Sequence, residues 1–138
     1  MKGTLHHIEI YVSNLEKSKE FWTWFLSELG YEIFQTWEEG ISYKLANTYL
    51  VFVQTEAAFL EHFYHRKRTG LNHLAFHAES RAMVDTFREK LIERKIPLLY
   101  DNKYPFAGGA NYYALFFEDP DRIKVELVAP DNTITNKE

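Results

Sequence analysis

An internal repeat constrains the fold of this chain more than any other feature of its sequence. Each half shows the same order of predicted elements: a strand, a capped helix and three further strands. Gly30 follows His7 at the same spacing at which Ile96 follows His73, so the two histidines occupy equivalent positions. The repeat predicts an α+β fold of two βαβββ modules.

The predicted elements are read from apolar periodicity and from capping residues. Residues 5–12 alternate between apolar and polar side chains, which is typical of a strand with one buried face. Ser13 and Asn14 are cap candidates for the first helix, and Ser80 for the second. The other predicted strands are 31–37, 41–46 and 49–54 in the first half, and 71–77, 96–100, 112–118 and 124–129 in the second.

The chain has 138 residues, enough for one ordinary domain with a substantial core. We expect a single domain over 1–138, with module one at about 4–55 and module two at about 70–130. The segment 56–69 between them is polar, has a helical period and contains no Pro or Gly before position 70. It is therefore predicted to be a connecting helix.

Composition excludes several classes of function. The absence of cysteine removes disulfides, thiolate catalysis and sulfur-ligated metal sites. Sixteen Lys and Arg against 20 Asp and Glu give a net charge of −4, which argues against a nucleic-acid-binding domain. We find no secretory signal pattern and no apolar run long enough for a membrane span. We therefore expect a cytoplasmic protein that binds neither nucleic acid nor membrane.

The strand faces bring chemically useful side chains to one side. In each module the apolar residues of the strands must face the helix, so the opposite faces carry His7, His73 and Glu126. Two imidazoles and one carboxylate on rigid strands are a ligand set for one divalent ion such as Zn, Ni, Co, Mn or Fe. Such a set leaves coordination positions open for water or a chelating substrate.

Other polar and aromatic residues accompany this set. Glu9 and His77 lie further along the same strand faces as His7 and His73, respectively. They could orient the imidazoles or contact the substrate. Glu9 is also a candidate general base beside Glu126. Tyr11, Tyr112 and Tyr113 are aromatic candidates near this set, and Tyr11 and Tyr113 are candidate substrate-binding residues.

Three segments carry a resemblance to a known family: LHHIEIYVSNLEKSKEFW, GLNHLAFHAES and FFEDPDRIKVELV. Together they resemble the signature segments of the vicinal oxygen chelate superfamily, over about residues 4–130. This superfamily includes glyoxalase I, fosfomycin resistance proteins, extradiol dioxygenases, methylmalonyl-CoA epimerase and bleomycin-binding proteins. The resemblance implies paired βαβββ modules whose mixed sheets curl around a cleft that holds a metal. The family's ligands match His7, His73 and Glu126.

One departure from the pattern concerns the reaction type. Glyoxalase I has a fourth ligand, a glutamate on the last strand of its first module. Aligning residues 51–54 with 125–128 places Phe52 at that position, and Gln54 lies one step along on the same face. Phe52 and Gln54 are therefore candidate substrate-binding residues, with Gln54 able to replace the missing ligand.

Three classes of function remain open. The first is a metal-dependent lyase or isomerase of the glyoxalase type, in which the metal acts as a Lewis acid on two vicinal oxygens of a small-molecule substrate and Glu126 or Glu9 is the base. The second is a fosfomycin-resistance-type transferase or a dioxygenase with three protein ligands. The third is a metal-free protein that binds a drug or metabolite. The resemblance also implies a homodimer, because family members often pair modules within or between chains, and the Phe and Trp content fits a large apolar contact.

Overall fold

The structure is a computed structural model that describes residues 2–131. The described residues form two compact units, unit one up to residue 64 and unit two from residue 65. Each contains a four-stranded mixed sheet and one α-helix, in the order strand, helix and three strands. The predicted α+β fold of two βαβββ modules is confirmed. No helix within residues 2–131 is long and apolar enough to cross a membrane.

The sheet of unit one has the strand order β1-β4-β3-β2. Strands β1 and β4 are parallel, and the other two pairs are antiparallel. The elements are β1 (His7–Val12), α1 (Leu15–Glu28), β2 (Glu32–Trp37), β3 (Gly40–Leu45) and β4 (Thr48–Gln54).

Helix α1 covers one face of this sheet. Its cap is Asn14, whose side chain accepts a hydrogen bond from the backbone N–H of Lys17 at 3.1 Å. The Trp22 ring stacks on Phe52 of β4, with centroids 4.8 Å apart, and both side chains are fully buried. Such an aromatic pair adds about 0.5–1.5 kcal/mol to the gain from burial. Phe52 is therefore a core residue that locks α1 onto the sheet.

Unit two repeats this arrangement, with the strand order β5-β8-β7-β6 and a parallel β5–β8 pair. Its elements are β5 (His73–His77), α2 (Arg81–Glu93), β6 (Leu98–Leu99), β7 (Ala114–Glu118) and β8 (Lys124–Val128). As predicted, Ser80 caps α2 by accepting a hydrogen bond from the backbone N–H of Met83.

The two helices do not have the same length, which shifts the repeat by one residue. The positive-φ residue that follows the helix is Gly30 in unit one but Lys95 in unit two. Ile96 therefore corresponds to Tyr31, and each of these two residues donates its backbone N–H to a carbonyl of the preceding helix. The equal spacing of Gly30 from His7 and of Ile96 from His73 identified the repeat correctly. It nevertheless aligned Gly30 with Ile96 instead of with Lys95.

The predicted connecting helix at 56–69 is wrong. The structure has only a single 3₁₀ turn there, Ala57–Phe59, followed by turns and bends. The apolar side chains of the segment are not packed against a surface that buries them, and Phe59 and Phe63 remain exposed. A helical period without a buried face does not stabilise a helix in water.

Candidate functional site

A histidine and a buried carboxylate meet on the sheet of unit two. His73 begins β5, and Glu126 lies in the middle of the adjacent parallel strand β8, in register with Ala75. Nε2 of His73 is 3.1 Å from Oε1 of Glu126. Glu126 is only 2% exposed, whereas the His73 side chain is 35% exposed. The strand alternation thus places both side chains on one face, as the sequence predicted.

The preceding residue determines which nitrogen of His73 faces Glu126. Nδ1 of His73 is 2.7 Å from Oδ1 of Asn72, and Nδ2 of Asn72 is 3.5 Å from the backbone carbonyl of Arg66. With its amide oriented in this way, Asn72 accepts a hydrogen bond from Nδ1–H. In the neutral imidazole, Nε2 then carries the lone pair, which is the tautomer that binds a metal.

The other carboxylate oxygen of Glu126 has no hydrogen-bond partner. Oε2 is buried, and leaving a buried charged oxygen unsatisfied is costly. Nitrogen and oxygen ligands lie about 2.0–2.2 Å from a divalent ion, so two in adjacent coordination positions are about 3 Å apart. The His73–Glu126 spacing and the unpartnered oxygen fit a bound divalent cation.

Tyr112 approaches Glu126 from the loop before β7. Burial raises the pKa of Tyr112 to about 12, and hydrogen bonding to the Glu126 carboxylate together with its negative charge adds to this shift. The hydroxyl therefore stays protonated at neutral pH and can serve as a donor to the carboxylate. The Tyr112 ring lies directly over Gly108, where an added Cβ would come within 2.9 Å of Cε2. Gly108 thus leaves room for this ring.

The neighbouring residue Tyr113, a predicted substrate-binding residue, is held by helix α2. Its hydroxyl donates to Oδ1 of Asp85 at 2.7 Å, and Tyr104 donates to the same oxygen. The Arg81 guanidinium lies over the Tyr113 ring. The hydrogen bond to Asp85 raises the pKa of Tyr113, and burial adds to the shift. Tyr113 therefore anchors the loop, whereas Tyr112 reaches the carboxylate.

In unit one, the predicted ligand His7 lies on the sheet face opposite α1. Its ring stacks on Tyr49 with centroids 4.7 Å apart, and its Nδ1 is 2.9 Å from Nδ1 of His6. Glu9 and Tyr11 are exposed on the same face of β1. In unit two, His77 is exposed at the far end of β5 from His73. The roles predicted for Glu9, Tyr11 and His77 stay predictions.

The strand register corrects the alignment of the two last strands. Glu126 pairs with Ala75, the second residue after His73, and in unit one the second residue after His7 pairs with Val51. Val51, not Phe52, therefore corresponds to Glu126. A shift of one residue reverses the face of a strand residue. It places Phe52 in the core beneath α1, so we do not retain Phe52 as a substrate-binding residue.

Gln54 has a structural role on that same helix side. Its Oε1 accepts a hydrogen bond from the backbone N–H of Leu15 at 2.8 Å, and its Nε2 donates to the carbonyl of Ser13 at 2.9 Å. The amide thereby gives the backbone N–H of Leu15, in the first turn of α1, an acceptor that the helix itself does not supply. The expectation that Gln54 replaces a fourth ligand or binds substrate is not retained, because both ends of its amide are engaged.

The structure thus brings two of the three predicted ligands together. Among residues 2–131, no three or more His, Cys, Asp or Glu side chains form a group placed to hold a metal ion. His73 and Glu126 form their pair within unit two, and His7 belongs to unit one. The structure adds Asn72, which the predicted site did not include, and it places Tyr112, one of the aromatic candidates, beside Glu126. Asn72 could have been found as the polar neighbour of a ligand histidine, but strand parity could not choose between two adjacent loop tyrosines.

Comparison with known proteins finds relatives that cover most of the chain. Residues 4–127 match the model of the Glyoxalase/Bleomycin resistance protein/Dioxygenase superfamily. The uncharacterized protein YqjT of Bacillus subtilis (strain 168) is 60% identical over 126 residues, which cover 91% of this chain and 98% of YqjT. The crystal structure of a candidate glyoxalase from Bacillus halodurans is 62% identical with a TM-score of 0.93, covering 94% of this chain and 97% of that one.

More distant structures share the fold alone. The fosfomycin resistance protein FosX from Listeria monocytogenes has a TM-score of 0.69 at 21% identity, over 94% of this chain and 93% of that one. Lactoylglutathione lyase from Agrobacterium tumefaciens has a TM-score of 0.66 at 15% identity, over 98% of both chains. From the matched family model and the 60% identical relative, the chain belongs to the Glyoxalase/Bleomycin resistance protein/Dioxygenase superfamily.

Proposed function

We propose that this protein is a metal-dependent enzyme that binds a small molecule through two vicinal oxygens. One observation carries the proposal: His73 presents Nε2 to the buried Glu126, whose Oε2 has no partner. His7 is the third proposed ligand, because it holds the equivalent position at the start of β1. Its contact with His6 through Nδ1 leaves Nε2 for the metal.

The first candidate reaction is of the glyoxalase type, a lyase or isomerase reaction that moves a proton between adjacent carbons. The name given to the 62% identical Bacillus halodurans protein supports this class. A bound divalent cation supplies Lewis-acid stabilisation of negative charge on substrate oxygens. Glu126 is the proposed base, since a carboxylate held at the reacting carbon can accept and return a proton. Glu9 remains the alternative base.

Tyr112 keeps the Glu126 carboxylate oriented in this proposal. As a protonated donor, its hydroxyl fixes the carboxylate without competing for the proton that Glu126 takes up. Tyr112 itself is 40% exposed, so a substrate can contact the same side chain.

The second candidate is a three-ligand reaction of the fosfomycin-resistance type. The observation that favours it is Val51, which occupies the position equivalent to Glu126 in unit one. An apolar side chain there gives unit one no carboxylate for a four-ligand site. The similarity in fold to FosX is compatible with this candidate.

The two candidates are separated by turnover assays on protein reconstituted in turn with Mn, Fe, Co, Ni and Zn. One assay follows conversion of the hemithioacetal of methylglyoxal and glutathione. The other follows loss of fosfomycin, with and without a thiol. We expect turnover in one assay that is lost in Glu126→Gln. No turnover in either assay with any of these metals would remove both reaction classes. Ligand binding that survives chelation would favour a metal-free binding protein.

A further inference from the structure

We propose that Lys124 binds an anionic group of the substrate, so that the natural substrate carries a carboxylate beside its two vicinal oxygens. The inference rests on the proposed function and names the substrate class for the same site. It concerns unit two alone.

Lys124 lies on the strand face that carries the proposed ligands. It pairs in register with His73, and it precedes Glu126 by two residues on β8. Side chains two apart on a strand point to the same face. Phe116, directly opposite Glu126 on β7, also lies on this face. The ammonium group therefore belongs to the same surface as the His73–Glu126 pair.

Aromatic side chains hold the ammonium group in place. Nζ of Lys124 lies 5.3 Å from the Tyr100 ring centroid and 5.9 Å from that of Phe116. It is also 3.3 Å from the Tyr100 hydroxyl. Contacts with ring faces stabilise a cation but satisfy few of its three N–H donors. Lys124 is thus positioned while retaining the capacity to bind an anion.

The acid that pairs with Lys124 across the sheet is already engaged. Glu118 faces Lys124 in register on β7, but its Oε2 lies 2.7 Å from Nη1 of Arg66 and 3.5 Å from Nε of Arg122. Within residues 2–131, the contacts found for the Lys124 ammonium group are those with Tyr100 and Phe116. A half-buried lysine held in this way can form an ion pair with an acidic group of the bound ligand.

The charges at the proposed site also favour an anionic group on the substrate. A divalent cation beside Glu126 leaves one positive charge, and Lys124 adds a second. Neutral histidine ligands carry no charge and so offset neither of these two positive charges. A substrate that chelates the metal and carries a further anionic group would neutralise this surface, whereas a neutral substrate would leave the ammonium group uncompensated.

The test uses hydroxamates, which chelate metals through two vicinal oxygens. Metal uptake is measured first, and the metal-loaded protein is then titrated calorimetrically with acetohydroxamate and with the carboxylated malono-, succino- and glutaro-hydroxamates. We expect at least one carboxylated chelator to bind about tenfold or more tightly than acetohydroxamate, as for a charge-assisted hydrogen bond. Lys124→Met should abolish this preference without changing acetohydroxamate affinity, and Lys124→Arg should retain most of it.

Lys90→Met is the matched control, because Lys90 on α2 also lies over an aromatic ring, that of Phe87. It should keep the full preference for carboxylated chelators. Protein that binds metal and acetohydroxamate but shows no preference, or keeps its preference in Lys124→Met, would overturn this inference alone. Protein that takes up no metal would overturn the proposed function together with it.

Discussion

Nε2 of His73 lies 3.1 Å from Oε1 of Glu126, and Asn72 holds the opposite nitrogen of the same ring. This chain of contacts orients the imidazole from both sides. The arrangement is that of a metal ligand whose tautomer is fixed by a neighbour. All three residues belong to unit two, so the arrangement does not depend on contacts with unit one or with a second copy of the chain.

The first prediction concerns Asn72. Asn72→Ala removes the acceptor that holds Nδ1–H of His73, and we expect metal affinity to fall about 10- to 100-fold. Competition with a chromophoric chelator measures this change. His77→Ala is the control, since His77 lies on the same strand and face as His73 but at the opposite end of the strand. Equal losses in both variants would indicate that Asn72 does not act through His73.

A second prediction links Gly108 to Tyr112. Alanine at position 108 would collide with the Tyr112 ring and displace it from Glu126. We expect Gly108→Ala to lower the free energy of unfolding by about 1 kcal/mol. In a Tyr112→Ala background the same change should cost little. Urea unfolding of the four proteins completes the cycle, and equal costs in both backgrounds would contradict the contact.

The third prediction concerns the anchor of the loop before β7. Asp85 accepts hydroxyl hydrogen bonds from Tyr104 and Tyr113, so Asp85→Ala should free residues 104–113 from α2. We expect faster amide hydrogen exchange in that segment. The free energy of unfolding should fall by only about 1–2 kcal/mol, because the Asp85 carboxylate is solvent-exposed. Glu93→Gln, at an exposed position on the same helix, should change neither. Unaltered exchange in Asp85→Ala would show that the loop is held by other contacts.

A pH dependence follows from Asp101. Arg88 donates hydrogen bonds of 2.9 and 2.8 Å to its two oxygens, which lowers the pKa of Asp101. A depressed folded-state pKa stabilises the fold above the unfolded-state pKa of about 3.9, and this contribution is lost as the pH falls through the folded-state value.

The Asp101 carboxylate is 40% exposed, so solvent screening limits the contribution to below about 1 kcal/mol. Asp101→Asn should therefore be slightly less stable than the wild type at pH 7. The difference should shrink as the pH falls below about 3.9 and vanish below the folded-state pKa of Asp101. Denaturant unfolding at a series of pH values from 7 downward measures this difference. A difference that does not shrink at acidic pH would mean that the ion pair is not its source.

The sequence predicted the parts of the fold that depend on local patterns. Apolar alternation identified the strands, and capping residues located both helices at Asn14 and Ser80. It also placed His73 and Glu126 on one face. The predictions that failed depended on long-range information: pairing between β1 and β4 decides that Val51 corresponds to Glu126. Likewise, only tertiary contacts show that the 56–69 segment has no surface on which to fold as a helix.

Local patterns also could not assign the loop before β7. The predicted strand begins at residue 112, but β7 begins at Ala114, so alternation does not apply to residues 112 and 113. Asp85 on α2 and the space left by Gly108 decide which tyrosine turns toward Glu126. The expected homodimer and cytoplasmic location stay predictions.

The most direct test of the central claim is the metal content of the protein purified without added metal or chelator. Elemental analysis is made beside His73→Ala, Glu126→Gln and His7→Ala, with His77→Ala as the control, and repeated after reconstitution with Mn, Fe, Co, Ni and Zn. We predict one ion per chain in the wild type and in His77→Ala, and none in the three ligand variants. Wild-type protein that holds no metal even after reconstitution, or ligand variants that retain it, would contradict the account.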